Sequence, residues 1–160
     1  MTNQNQIKHV RAGTGAAYNG PGDQATFLVT GAESGGSYFI SEFKCPPGGG
    51  PPPHIHHREE ESYYILQGEA TVQAGGRTIR ALVGDFVHIP RGTVHCFKND
   101  GKVDLKMVIT FSPTGMEKFF EESFYPAVDR SASPPLLTDE LMGRMQAAAP
   151  KNGMEFVDPA

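Results

Sequence analysis

Short apolar runs separated by turn residues make up the chain from about residue 22 to residue 111. Gly75-Gly76 separates two of these runs and predicts a two-residue hairpin turn, since both glycines can adopt positive φ. The stretch 31–36 predicts a longer connection of the same kind. The runs themselves are rich in β-branched and aromatic residues or alternate apolar with polar positions, which predicts strands in an all-β barrel or sandwich. The predicted strands are Ala25–Thr30, Ser37–Lys44, Ser62–Leu66, Ala70–Gln73, Thr78–Leu82, Phe86–Ile89, Val94–Lys98 and Leu105–Phe111.

After Pro113 the pattern changes from strand to helical spacing. A short amphipathic helix is predicted over Gly115–Glu122. Thr138 fits an N-cap with acidic residues in the turn that follows, so a second helix is predicted to about Ala148. The expected organisation is a polar N-terminal arm, a β-barrel and a C-terminal helical tail, with bounds 1–22, 23–112 and 113–160.

The composition excludes several classes of partner. The 160 residues carry 14 basic and 18 acidic side chains, for a net charge of −4, which gives no electrostatic reason to bind nucleic acid or an anionic membrane surface. Neither a secretory leader nor a membrane span is recognisable in the sequence, so a cytoplasmic location is expected. Cys45 and Cys96 are too few for a disulfide framework.

The candidate chemistry lies in three histidines and a carboxylate. His54 and His56 are two residues apart, so in an extended chain their imidazoles leave from the same face. His95 follows in a second motif rich in glycine and proline. Imidazoles together with a carboxylate suit a divalent transition metal, and four protein ligands leave coordination positions open for substrate, as in a catalytic site.

Glu59, Glu60 and Glu61 compete for the role of the carboxylate ligand. A continuous strand from His56 would point Glu60 toward the metal, since the spacing is even. The segment 57–60 is too charged for a buried strand, so we interpret it as a loop or bulge that resets the alternation. Glu61 then opens the next strand and faces inward, and the other two glutamates are expected to be solvated.

Two spaced motifs resemble both signatures of the cupin superfamily, with every signature position filled. They read Gly48-x5-His54-x-His56-x4-Glu61-x6-Gly68 and Gly84-x5-Pro90-x-Gly92-x2-His95-x3-Asn99. The resemblance implies a small antiparallel jelly-roll barrel with a short C-terminal helical extension, and a homodimer. It also implies one bound divalent transition metal (Fe, Mn, Ni, Co, Cu or Zn) with the ligands His54, His56, Glu61 and His95.

The remaining histidines are expected at the surface. His9 lies in the polar arm, His57 in the charged loop, and His88 should alternate outward from its strand neighbours. The inward positions of the strands predict the barrel lining, and among them Tyr63 and Phe97 are closest in sequence to the ligands and are predicted to line a substrate pocket. The full predicted lining is Tyr63, Ile65, Val87, Ile89, Phe97, Leu105, Met107, Ile109 and Phe111.

Three functional hypotheses fit the motifs, because this barrel serves many chemistries. The first motif and the helical tail resemble the one-barrel quercetinase-like proteins, which implies a metal-dependent dioxygenase that takes a small enolisable or aromatic substrate and O2. Glu61 would then be the catalytic residue that accepts the substrate proton. The alternatives are a non-oxidative metalloenzyme (isomerase, lyase or decarboxylase) and a metal-containing small-molecule binding protein without turnover. No helix-turn-helix or basic surface indicates nucleic-acid binding.

Overall fold

The structure is a computed structural model that describes residues 6–158. Residues 1–5 of the predicted arm and 159–160 of the predicted tail lie outside the described residues. The helices are α1 (Gly31–Ser34), α2 (Met116–Ser123) and α3 (Asp139–Ala148), and a 3-10 turn spans Pro150–Asn152. The strands β1 to β12 are, in order, Ala17–Asn19, Gln24–Val29, Phe39–Cys45, His54–His56, Glu60–Gln67, Glu69–Ala74, Arg77–Leu82, Phe86–Ile89, His95–Lys98, Leu105–Ser112, Tyr125–Pro126 and Met154–Phe156.

Two antiparallel sheets form the body of the protein. One has the order β11-β1-β2-β3-β10-β5-β8 and the other β12-β4-β9-β6-β7. The predicted class, an all-β antiparallel jelly-roll barrel with a short C-terminal helical extension, is confirmed. All eight strands predicted from the sequence are present, with ends within two residues of those expected. Gly75 and Gly76 form the predicted hairpin turn between β6 and β7, with φ of +55° and +76°.

The core lies between the inner faces of the two sheets. Strand β10 shows the alternation that produces it, since Leu105, Met107, Ile109 and Phe111 are buried and the residues between them are more exposed. All nine residues predicted to line the barrel are buried. Removing this apolar surface from water is the main favourable term in folding a barrel of this size.

The C-terminal segment packs against the barrel. Helix α2 contributes Phe119 and Phe120 to the same buried cluster as the barrel residues. Helix α3 begins where predicted, because the Thr138 side chain accepts a hydrogen bond from the backbone N–H of Leu141 at 3.1 Å and satisfies one free donor of the first turn. Strand β12 then pairs with β4, which fastens the end of the segment to the barrel. Within residues 6–158, no helix has the length and apolar composition that crossing a bilayer requires.

Three local features differ from the sequence prediction. The segment expected to be a polar arm contains β1, which pairs with β2 and β11. The connection 31–36 contains the short helix α1, which begins in a capping box formed by Thr30 and Glu33. Strands β4, β11 and β12 were also not among the predicted strands. These elements have two to four residues, which is too short for hydrophobic periodicity to reveal them.

Candidate metal centre and adjoining cavity

Three strands bring the predicted ligands together. Strand β4 carries His54 and His56 on its inward face, and β9 begins at His95, which pairs directly with His54. Glu61 comes from β5 in the other sheet. All four side chains are buried, with 2 to 4% of their surface exposed.

Glu61 faces inward because the chain leaves the strand conformation after His56. Residues 57–59 form an irregular connection, and in the strand that follows, the buried positions are Glu61, Tyr63 and Ile65. The predicted reset of the alternation is confirmed. The expectation for Glu59 was wrong, since only 1% of its surface is exposed, whereas Glu60 is exposed as predicted. Glu59 turns inward from an irregular loop, where strand alternation gives no guidance.

A tight turn before β9 places His95. Gly92 has a φ of +79°, which favours glycine. Its backbone N–H donates to the carbonyl oxygen of His56 at 2.9 Å, and the N–H of Thr93 donates to the carbonyl oxygen of Pro90 at 3.2 Å. The turn that delivers the third histidine is therefore bonded directly to the strand that carries the first two.

The ligand atoms converge on one point. His56 Nε2 and His95 Nε2 lie 3.2 and 2.6 Å from Glu61 Oε2, and one ligand atom from each of the four residues lies within 4.8 Å of the other three. Atoms that bind one ion at about 2.1 Å are at most about 4.2 Å apart. The group fits a transition metal with a contraction of a few tenths of an ångström, and its nitrogen and carboxylate donors are those such metals accept.

The outer ring nitrogens set the orientation of two ligands. His54 Nδ1 lies 2.8 Å from the carbonyl oxygen of Pro52, and His95 Nδ1 lies 2.8 Å from that of Thr93. A carbonyl oxygen can only accept, so each Nδ1 carries a proton. His54 Nε2 is therefore free to bind a metal, whereas His95 Nε2 shares a proton with Glu61 Oε2 at 2.6 Å and binds a metal only when that proton leaves. His56 Nδ1 has no hydrogen-bond partner within residues 6–158, and the nearest carboxylate oxygen, Glu59 Oε2, is 4.0 Å away.

The protonation states of two of the four residues, His54 and Glu61, suit metal binding. Burial, together with the charges of His56 and His95, lowers the pKa of His54 to about 3. Burial opposes ionisation of Glu61, but hydrogen bonds and charge interactions with the same two histidines outweigh it and hold its pKa well below the usual range. Near neutral pH, His54 is thus a neutral donor and Glu61 an ionised one, which are the forms that bind cations.

Three of the four residues border a small cavity whose wall is otherwise mainly apolar. Its wall includes His54, His56 and Glu61, and its free space is about 30 Å³, enough for a few water molecules at most. Much of the wall comes from α2, α3 and β12, so the C-terminal segment closes the barrel over the candidate centre. The aromatic and methionine residues of the wall are Phe43, Phe97, Phe111, Met116, Phe119, Phe120, Phe124, Met145 and Met154.

The two residues predicted for a substrate pocket lie in different places. Phe97 lines the cavity. Tyr63 is fully buried behind it, with its ring edge-on to that of Phe97 at a centroid distance of 5.7 Å. Burial, and then the charge of Glu61, raises the pKa of Tyr63 well above its ordinary value, so its hydroxyl stays protonated.

Asp23 is a cavity residue that sequence analysis missed. It precedes β2, has 2% of its surface exposed, and its Oδ1 has no hydrogen-bond partner in the part of the chain that the structure describes. Burial raises its pKa to about 7. An aspartate after a Gly-Pro-Gly turn normally indicates a solvated loop, so no local signal identifies it. The aromatic spacing of α2, by contrast, indicated a buried face without indicating what it covers.

The other histidines and both cysteines lie outside the cluster, as expected. His57 is exposed and pairs with Glu155 at 2.9 Å, and His88 is exposed on β8. His9 is also exposed. Cys45 is buried, Cys96 is half-buried, and both are free thiols.

A family model matches the central part of the chain. Residues 41–111 match the cupin domain family. A curated relative, quercetin 2,3-dioxygenase from Bacillus subtilis (strain 168), is 32% identical over 100 residues, which are 62% of this chain. Those residues are 29% of the relative, so the chain spans less than a third of that relative's length.

Solved structures share the architecture. A predicted oxalate decarboxylase from Thermotoga maritima superimposes with a TM-score of 0.62 at 24% identity, over 66% of this chain and 99% of that one. This likeness shows the fold alone. An oxalate oxidase in complex with the substrate analogue glycolate has a TM-score of 0.58 at 26% identity, over 71% of this chain and 63% of that one.

Proposed function

Residues 41–111 of this chain form a cupin domain, and on that premise we propose that the protein is a metal-dependent dioxygenase acting on a small enolisable or aromatic, flavonol-like substrate. One observation carries the proposal. Three buried imidazoles and a buried carboxylate converge on one point, and two of the imidazoles and the carboxylate line a cavity whose other surfaces are mainly aromatic rings and methionine side chains. Such a site combines a metal with a dry apolar pocket. The similarity to quercetin 2,3-dioxygenase supports the same activity.

His54, His56, Glu61 and His95 would hold the metal. When bound, a divalent transition metal would supply Lewis acidity toward a substrate oxygen and redox chemistry with O2. The protein fixes the direction of two of the imidazoles through the carbonyl oxygens of Pro52 and Thr93. Preorganised ligands reduce the entropy lost when the metal and substrate bind.

Glu61 is the proposed proton acceptor. Its Oε2 is ionised and faces the Nε2 atoms of both His56 and His95. A substrate enol that enters the cavity beside this oxygen can transfer its proton to Oε2, because the carboxylate is ionised and its oxygen can accept a proton. The surrounding rings exclude water, which keeps the charge interactions strong.

The cavity wall favours an apolar substrate over a small dianion. Within the described residues, no lysine or arginine lines the cavity, so an oxalate-like substrate would find no cationic partner besides the metal. Flat rings, in contrast, can stack against side chains such as Phe97 and Phe111. The free space of about 30 Å³ is too small for a bicyclic substrate, so α2 or the segment after it must move for the substrate to enter.

The proposal is tested with protein purified without chelator. Elemental analysis should find close to one equivalent of a transition metal, and O2 consumption should follow addition of a flavonol. His56→Ala should lose most of the metal, whereas His57→Ala, which alters the exposed neighbour, should keep it. Full metal content in His56→Ala would refute the ligand assignment.

The same assay separates the alternatives. Metal binding and substrate conversion without O2 consumption would identify a non-oxidative cupin metalloenzyme, and metal binding without any conversion would identify a binding protein. Glu61→Gln should keep part of the metal and lose turnover. The homodimer and the cytoplasmic location remain predictions, which light scattering and cell fractionation address.

A further inference from the structure

We propose that Asp23 is a specificity-determining residue that hydrogen-bonds a hydroxyl group of the substrate, in the cavity that His54, His56 and Glu61 also line. This inference rests on the proposed function and identifies the substrate class as hydroxylated rather than purely hydrocarbon rings. Asp23 lies outside both signature motifs and outside the matched residues 41–111.

The carboxyl group of Asp23 is held in the wall without a partner. Oδ1 is inaccessible to solvent and has no hydrogen bond from any described residue. Burying a polar group without a hydrogen bond is costly, and buried polar groups are almost always paired. A carboxyl group left unpaired in an apolar cavity is therefore available to a ligand that supplies the missing partner.

The chain around Asp23 keeps the carboxyl group in place. The backbone N–H of Gly20 donates to the carbonyl oxygen of Asp23 at 2.9 Å and closes the turn between β1 and β2. A Cβ at Gly20 would lie 2.6 Å from Asp23 Oδ1 and 2.2 Å from the Phe124 ring. The glycine thus leaves room for the Asp23 carboxyl group and the Phe124 ring at one position.

The polar groups of the cavity wall come from both sheets. Asp23 precedes β2 and Glu61 lies on β5 of the seven-stranded sheet, whereas His54 and His56 lie on β4 of the five-stranded sheet. A substrate that places an enol oxygen at the histidines can thus direct a second polar group toward Asp23. The rest of the wall is mainly apolar, which suits the rings that would join the two groups.

A hydroxyl group is the chemistry that this carboxyl group fits best. Burial raises the pKa of Asp23 to about 7, so near neutral pH it exists in both the ionised and the neutral form. A hydroxyl group can donate to the first and accept from the second. A cationic amine is disfavoured, because a divalent ion with three imidazoles and one carboxylate carries a net positive charge.

The test compares two ligands and needs no turnover. Binding of quercetin, which has hydroxyls on its outer rings, and of the parent flavonol, which lacks them, is measured by isothermal titration with metal-replete and with chelator-treated protein. The wild type should bind quercetin about 10- to 100-fold more tightly, the range expected for a hydrogen bond to a charged group. Asp23→Leu should reduce this ratio to about one, with metal content unchanged.

Two further variants keep the test decisive. Asp23→Asn retains a carbonyl acceptor and should keep part of the preference, which also covers the case in which the leucine variant does not fold. Met145→Leu alters the cavity wall without a polar change and should change both affinities together. A merely structural Asp23 would alter the melting temperature and leave the ratio as it was.

The outcomes for this inference and for the proposed function are distinct. If the wild type prefers quercetin and Asp23→Leu loses this preference, but no O2 is consumed, the dioxygenase is overturned and Asp23 is supported as the hydroxyl partner. Equal affinity of the wild type for both flavonols, an unchanged ratio in both Asp23 variants, or no binding of either ligand would overturn the role of Asp23.

Discussion

Substituting Asp23 by asparagine should change how the free energy of unfolding depends on pH. The carboxyl group is fully buried, and burial raises its pKa from 3.8 to about 7. Asparagine has nearly the same shape and does not titrate. Comparing the two proteins therefore isolates the energetic cost of ionising this one group inside the barrel.

The sign follows from proton binding. Between about pH 4 and pH 7, folded protein keeps the Asp23 proton and unfolded protein has lost it. The folded state thus binds more protons in this range, and the free energy of unfolding falls as the pH rises. The contribution is greatest below pH 4 and is lost as the pH passes the folded pKa of about 7. This is the opposite of the dependence produced by an ion-paired carboxylate.

The size of this change in the free energy of unfolding is set by the difference between the pKa of Asp23 in the folded protein and its pKa in the unfolded protein. A difference of one pH unit corresponds to about 1.4 kcal/mol, so a rise from 3.8 to about 7 corresponds to about 4 kcal/mol. That is a large share of the roughly 5–15 kcal/mol by which a domain of this size is stable. Wild type should lose about this much relative to Asp23→Asn between pH 4 and pH 8.

Urea unfolding of chelator-treated protein at several pH values measures the difference. All other ionisable groups are the same in the two proteins, so their contributions cancel in the comparison. Asp100→Asn is the matched control, because that carboxyl is exposed. Its pKa is lowered, first by a hydrogen bond to Thr71, so it titrates below the pH range measured. A wild-type minus Asp23→Asn difference that stays constant from pH 4 to pH 8 would refute the assignment of Asp23 as a buried, unpaired acid.

Three further predictions concern the candidate centre and its surroundings. Glu59→Ala should weaken metal binding about 10- to 100-fold, because Glu59 is the buried carboxylate nearest to His56 Nδ1. Competition with a chelating dye measures the metal affinity, with Glu60→Ala as the control at an exposed neighbour. Equal metal affinities of Glu59→Ala and the wild type would contradict the prediction. Phe120→Ala should lower the free energy of unfolding by about 3–5 kcal/mol, since this ring is buried among six others. A loss below about 1 kcal/mol in urea unfolding would show that it packs loosely. Gly50→Ala should lower the melting temperature, because a Cβ there would lie 2.1 Å from a backbone oxygen of β9; an unchanged melting temperature would contradict that close approach.

The strands and the candidate ligands were predictable because their signals are local or fixed in spacing. The alternation of apolar residues predicted the ends of β8 and β10 to within one residue, and the Thr138 N-cap predicted the start of α3. The inward direction of Glu61 also followed from sequence, since a charged three-residue loop breaks the alternation. The burial of Glu59 did not follow, because an irregular loop has no periodicity from which a direction can be inferred.

The C-terminal segment marks the limit of such reasoning. The spacing of Phe119 and Phe120 predicted a buried helix face, yet nothing in that spacing chooses between a cover for the barrel and a contact with a second chain. The structure places the segment over the candidate centre, where Met145 and Met154 complete the cavity wall. Pairing of β12 with β4 involves residues about a hundred positions apart, and no local pattern specifies such a pair.

The sequence alone therefore determined the barrel, its inward faces and the four side chains that can hold a metal, since each depends on spacing along one or two strands. The tertiary structure alone decided what surrounds that group: the aromatic cover, the inward turn of Glu59, and the unpaired carboxyl of Asp23 in the wall. The physical reason is that burial is a property of the packed molecule. A charged residue in a loop is normally solvated, and only contacts from distant segments can take it out of water.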